Sequence, residues 1–163
     1  MVILMAAAML SYTVAFATAD KLKEMQEQFD RESHASGKVR NLQKLGALQF
    51  DAATQASKAG DYVTVGLIFE KYRDNVRQAF ELLKKQQPDA DRHPGGYRQL
   101  ELEVRHGIRE VEDTLLVAPE EFRPPLEIVR KDLIDADDGL IHLLFPRRTK
   151  DPEKVPRAAE SKP

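Results

Sequence analysis

The sequence contains no cysteine. Without cysteine the chain cannot form a disulfide bond, bind a metal through a thiolate, or use a cysteine nucleophile. A lipid-modified N-terminal cysteine is excluded for the same reason. If the protein is exported, its stability therefore depends on a packed core alone.

The chain also lacks a strong excess of either charge. It has 25 Lys and Arg residues against 27 Asp and Glu residues, and the net charge is −2. Such a balance supplies no basic field for a phosphate backbone, so we do not predict a nucleic-acid partner. Hydrophobic residues make up 42% of the 163 positions, a share typical of one globular domain.

Motifs of the common enzyme classes are missing as well. The sequence has no Gly-x-Ser-x-Gly, no His-Glu-x-x-His and no glycine-rich phosphate loop. Gly95 and Gly96 follow a proline and indicate a turn rather than a nucleotide cradle. We therefore predict a protein without catalytic activity and without a cofactor.

Residues 1–19 carry no charged side chain and end in alanines at the spacing that signal peptidase recognises. We predict a secretory signal peptide cleaved after Ala17 or Ala19, although the usual basic residues before the apolar run are missing. The alternatives are a buried helix or an uncleaved membrane anchor, because about 18 apolar residues can just span a bilayer. We expect export to the periplasm or beyond, and membrane contact only if the segment remains uncleaved.

Gly60 and Asp61 separate two segments in which apolar residues recur every three to four positions. This period predicts two helices, over about 38–59 and 61–87, that pack closely as a hairpin. Gly60 should adopt the left-handed conformation after the first helix, and Asp61 should cap the second. The first stripe is mostly small and the second is bulky: Val39, Leu42, Leu45, Gly46, Ala53 and Ala56, against Val65, Phe69, Tyr72, Val76, Ala79 and Leu83.

The same spacing predicts further helices over about 20–35, 97–117 and 125–144, with a loop over 88–96. Ser36 is the predicted cap of the first hairpin helix. Residues 147–163 contain almost nothing apolar, so we predict a disordered tail there. The predicted fold is all-α, an antiparallel bundle of four to five helices over residues 20–146.

The sequence contains one motif that occurs in metal-binding helices. Glu103 and His106 form a Glu-x-x-His, which places both side chains on one helix face. A di-iron bundle needs two such helices and two further inward glutamates, and the second motif is missing. We therefore interpret His106 as a surface residue beside Glu103 and Glu110, and predict no metal site.

The predicted hairpin resembles one tetratricopeptide unit, through a small residue, a glycine-and-aromatic turn and an aromatic in the second helix: Ala53, Gly60, Tyr62 and Phe69. Val65 departs from that pattern, and no second copy follows at a 34-residue period. The alternative is an unrelated helical hairpin with the same turn. The tetratricopeptide resemblance implies a concave protein-binding surface.

More broadly, residues 42–146 resemble a class of uncharacterised exported bacterial helical proteins. The resemblance is carried by a Gly-Asp-Tyr turn and by a Leu-Phe-Pro after the last helix: Gly60, Asp61 and Tyr62, then Leu144, Phe145 and Pro146. It implies export and a helical fold, and no activity.

Three hypotheses for function follow. The favoured one is a non-catalytic module that binds another protein through the hairpin groove or the 88–98 loop, whose candidate contact residues are Arg92, His93, Tyr97 and Arg98. The second is a periplasmic bundle that binds a ligand or metal in its core. The third is a structural protein tethered to a membrane by residues 1–19.

Overall fold

The computed structural model describes residues 20–146. These residues form an all-α bundle of five helices, and no β-strand occurs among them. The helices are α1 over residues 20–31, α2 over Ala35–Lys58, α3 over Tyr62–Gln86, α4 over Pro94–Val117 and α5 over Arg123–Leu144. The predicted signal peptide and C-terminal tail lie outside the described residues.

Helices α2 and α3 form the predicted hairpin. Gly60 joins them with a φ of 77°, a conformation that glycine adopts without steric strain. The Asp61 carboxylate caps α3 by accepting from the Thr64 hydroxyl at 2.6 Å and from the Thr64 N–H at 3.1 Å. Both hydrogen bonds lower the pKa of Asp61. The predicted turn is thus confirmed, including its cap.

The apolar stripes predicted from the sequence form the core. All six stripe residues of α3 are buried, and so is the aliphatic face of α5: Leu126, Val129, Leu133, Leu140 and Leu144. Helix α2 contributes one large side chain that its predicted stripe omitted. Phe50 is buried, and its ring centroid lies 4.8 Å from that of Tyr72.

Helices α4 and α5 form a second hairpin, joined by a short 3-10 turn over Glu120–Phe122. The two hairpins meet at their turns. The Tyr62 hydroxyl donates to the Val117 carbonyl at 3.2 Å, and the Tyr62 ring stacks on Phe122 with centroids 5.7 Å apart. These contacts hold both turns at one end of the bundle.

Two predicted helix starts were wrong by about three residues. Helix α2 begins at Ala35, so Ser36 lies inside the helix and is not its cap. The Gln86 side-chain oxygen instead accepts from the Ala35 N–H at 2.8 Å. Helix α4 begins at Pro94, where a missing N–H is harmless, so part of the predicted 88–96 loop is helical. A tertiary contact and a proline at a helix start explain the two errors.

Helix α1 is fixed against both members of the first hairpin. Its Phe29 side chain is fully buried, and the Lys38 ammonium lies 4.4 Å from the Phe29 ring centroid. Lys38 also donates to the carbonyl of Glu32 at 3.4 Å, beyond the last turn of α1. Gln26 and Asn75 exchange two amide hydrogen bonds of 3.0 and 3.1 Å. These bonds join α1 directly to α3.

Candidate functional site

A groove of about 480 Å³ lies between α1 and α3, with α2 behind it. We call it the α1–α3 groove. Its lining combines apolar side chains with two lysines and a glutamine. These residues are Leu22, Lys23, Gln49, Leu67, Ile68 and Lys71. Leu67 is 61% exposed, although it belongs to a helix whose opposite stripe is fully buried.

The period of α3 explains this second apolar strip. Thr64, Leu67, Ile68 and Lys71 follow one another at helical spacing and therefore share one side of the helix. Helix α1 supplies the opposite wall. Two leucines and an isoleucine thus remain partly or wholly open to solvent in one place.

Gln49 of α2 contributes the polar group of the groove. The residue is only 3% exposed, and its Oε1 atom is buried without a hydrogen-bond partner in the described part of the chain. An unpaired buried acceptor of this kind destabilises a fold by about 1–3 kcal/mol. The groove therefore contains an amide that is desolvated and lacks a donor.

The rim of the groove is basic. Lys23 and Lys71 are exposed, and within residues 20–146 neither forms an ion pair. The one acidic residue of the lining, Glu27, already binds Arg31 at 2.7 Å. The two free ammonium groups consequently favour an occupant that carries carboxylates.

The four residues predicted from the 88–98 loop differ in exposure. Arg92 is highly exposed and binds Asp89 at 3.1 Å, and His93 and Arg98 are exposed as well. Tyr97 is buried, and its hydroxyl donates to the Gln87 carbonyl at 2.8 Å. Tyr97 therefore anchors the start of α4 to the end of α3 and presents no ring to a partner.

A second polar arrangement lies where α2, α3 and α4 cross. The Tyr72 hydroxyl of α3 donates to the main-chain carbonyl of Glu103 at 2.8 Å and lies 3.4 Å from Glu103 Oε1. Gly46 and Gly107 make the approach possible. A Cβ atom on Gly107 would lie 2.6 Å from the Tyr72 hydroxyl oxygen, and one on Gly46 would overlap the Glu103 carboxyl group.

The Glu103 side chain corrects the interpretation of the Glu-x-x-His. Glu103 is only 7% exposed and does not lie on the surface beside His106. His106 instead reaches Glu110 at 3.2 Å and meets the Phe50 ring edge-on, with centroids 5.0 Å apart. Burial raises the pKa of Glu103 to about 7, and the Tyr72 hydroxyl offsets part of that effect. Burial also raises the pKa of Tyr72 well above its usual range.

The sequence did not predict the groove, and of the crossing it indicated only a close helix approach at Gly107. Gln49 and Leu67 lie outside the predicted stripes. The signal for the groove was the pair of apolar residues on α3 outside its stripe, Leu67 and Ile68. Gly107 was a signal for the crossing, since glycine in a helix interior usually needs a packing reason.

Over residues 20–146 no group of three or more His, Asp or Glu side chains could hold a metal ion. None of the helices in that range has the length and apolar character needed to cross a membrane.

Comparison with known proteins gives no further guide. No protein-family model matches the chain, and neither the curated proteins nor the solved structures contain a match. The function must therefore be argued from the geometry.

Proposed function

We propose that this protein is a non-catalytic interaction module and that the α1–α3 groove binds an amphipathic helix of another protein. One observation carries the proposal: the open groove leaves Leu67 61% exposed, with Leu22 and Ile68 beside it. A partner that covers this apolar surface would remove it from water. The tetratricopeptide resemblance of the hairpin supports the same class of function.

A helix fits the groove better than an extended strand does. Both walls are helices with no free backbone hydrogen-bonding edge, so an extended peptide would leave its own N–H and C=O groups unpaired. A helix satisfies its backbone internally and presents side chains at matching periods.

The charges specify the partner further. Lys23 and Lys71 flank the apolar strip without internal ion pairs. We therefore propose a partner helix with an apolar stripe and carboxylates beside it. Its carboxylates would speed association and fix orientation more than they would raise affinity.

Photo-crosslinking tests the proposal in the cell that makes the protein. A benzophenone side chain replaces Leu67 in the full chain, and the control replaces Leu102 of α4, which is 63% exposed. We expect Leu67 alone to capture one protein, with the crosslink mapped to an acidic amphipathic segment. A crosslink to a second copy of this chain, to a lipid, or equally from both positions would overturn it.

Binding of a synthetic peptide with the captured sequence gives the quantitative test. We expect Leu67→Ser to weaken binding by about tenfold or more and Lys71→Glu to weaken it by less, measured by fluorescence anisotropy. Leu102→Ser should leave the affinity unchanged. Equal affinities in all four proteins would rule out the groove as the binding site.

We propose export as a separate matter, supported by the uncharged residues 1–19 and their alanines. N-terminal sequencing of the protein from fractionated cells tests it. We expect a mature chain that begins after Ala17 or Ala19. A chain that begins at Met1 in every fraction would contradict cleavage.

A further inference from the structure

The crossing of α2, α3 and α4 contains a carboxyl group without a cation. Among the described residues no Lys, Arg or His nitrogen lies within 4.0 Å of the Glu103 carboxylate. The group is 7% exposed, and the backbone of Gly46 lies directly against it. Water can therefore hydrate this carboxyl group fully only if α2 and α4 move apart.

The Tyr72 hydroxyl offsets the burial of the Glu103 carboxyl group only in part. Tyr72 has one hydroxyl proton, and the shorter contact, 2.8 Å, directs it to the Glu103 carbonyl. A protonated Glu103 can then donate its own proton to the Tyr72 oxygen 3.4 Å away. An ionised Glu103 would compete with its own carbonyl for the single Tyr72 proton. Within residues 20–146, an ionised Glu103 therefore has one shared hydroxyl donor in place of the water that burial removes.

We propose that this crossing is a pH-sensitive contact: protonated Glu103 holds α2 against α4, and ionised Glu103 loosens them. The inference is independent of the α1–α3 groove and of its partner. It assigns a conformational role to a carboxyl group that the proposed binding function does not use.

The other charged groups near the crossing are paired with one another and not with Glu103. Helix α2 contributes the uncharged Gly46 and Phe50, and α3 contributes Tyr72, whose pKa is far above neutral. On α4 itself, His106 lies one turn away and binds Glu110. Arg105 and Glu112 of α4 bind Asp137 and Arg130 of α5, and they point away from Glu103 by half a helical turn.

The sign of the effect follows from linkage. Burial raises the pKa of Glu103 from 4.5 to about 7, so the folded protein holds this proton more tightly than the unfolded chain does. The stabilisation is complete below pH 4.5 and is lost as the pH rises to about 7. Between pH 5 and 8 the unfolding equilibrium constant should rise roughly 70-fold through this group alone.

Urea denaturation between pH 5 and 8 tests the inference against a matched variant. We expect Glu103→Gln to remove most of that 70-fold dependence, while Glu127→Gln, an exposed glutamate on α5, should retain it. The difference between variant and wild type cancels the other titrating groups. Identical pH dependence in wild type and Glu103→Gln would overturn the inference.

Hydrogen exchange locates the change within the structure. We expect protection factors, corrected for intrinsic exchange, to fall between pH 5.5 and 8 in peptides from 42–50 and 99–107, and to fall less in α5. Carbon-13 NMR titration of the wild-type glutamate carboxyls remains decisive if Glu103→Gln fails to fold. A Glu103 titration midpoint near 4.5, or unchanged protection in both peptides, would refute the proposal.

Discussion

A poorly exposed carboxyl group lies on each of two sides of α4, Glu103 on one and Asp137 on the other. The two groups have different partners. On one side Glu103 packs against Gly46 and Tyr72 with no cation. On the other side Asp137 of α5 lies 3.4 Å from Arg105, which also binds Glu101. Burial raises the pKa of both carboxyls, but Arg105 opposes the rise only at Asp137.

The comparison shows how the same helix combines two kinds of contact. The α5 side is aliphatic inside, and Arg105 contacts one oxygen of Asp137, while the other oxygen is buried without a partner among the described residues. The α2 and α3 side replaces aliphatic bulk with a tyrosine, two glycines and a carboxyl group. The first contact pairs its carboxyl group with a cation, and the second pairs it with a tyrosine hydroxyl.

The largest expected effect comes from removing the tyrosine around which the polar contact is built. Tyr72→Ala should destabilise the fold by about 3–5 kcal/mol, as buried aromatic truncations do. It removes a fully buried ring and the donor to the Glu103 carbonyl. Urea denaturation measures the loss, with Phe145→Ala as the exposed control. A loss below about 1 kcal/mol would show that the crossing does not depend on Tyr72.

Alanine substitutions at two glycines compare how tightly α4 packs against α3 and how tightly α5 packs against α3. Gly107→Ala should destabilise by about 1–3 kcal/mol, because the added methyl group overlaps the Tyr72 ring. Gly139→Ala on α5 places its methyl group 3.4 Å from the Phe80 ring, within ordinary contact. That variant should be neutral or more stable by up to about 1 kcal/mol through helix propensity. Thermal denaturation of both variants measures the change in melting temperature. Equal changes in the two variants would contradict the difference in packing.

The smallest effect should come from Arg105→Gln, which makes the two carboxyl groups more alike. The arginine is half exposed, so its loss should destabilise by about 1 kcal/mol or less. Without that cation the pKa of Asp137 should rise further, because burial is then less opposed. NMR titration of the aspartate carboxyls measures the change. A lowered or unchanged Asp137 midpoint would mean that Arg105 does not control it.

The bundle could be predicted from the sequence because its signals are local and repeated. The α3 stripe recurs every three or four positions over five turns, and every predicted member is buried. Gly60 and Asp61 specify the turn through backbone freedom and a cap, both of which act within three residues. The proline at 146 likewise follows the end of α5 closely.

The two polar arrangements depend on contacts between distant segments, which periodicity does not report. Glu103 looks like a solvated helix residue until Gly46, 57 positions earlier, is placed against it. Gln49 and Leu67 are ordinary residues for exposed helix positions, and only the position of α1 turns them into a groove. Ser36 failed as a predicted cap because Gln86 reaches the α2 N-terminus from another helix.

The doubled amide bond between Gln26 and Asn75 has a consequence for recognition. Because both partners are uncharged, neither acid nor salt weakens the bond, and it fixes the spacing of two walls before anything enters between them. A receptor preorganised in this way loses little entropy on association, so even a small apolar contact can be specific. An uncharged pair that includes Gln26 of the groove lining would thus determine the shape that the partner must match.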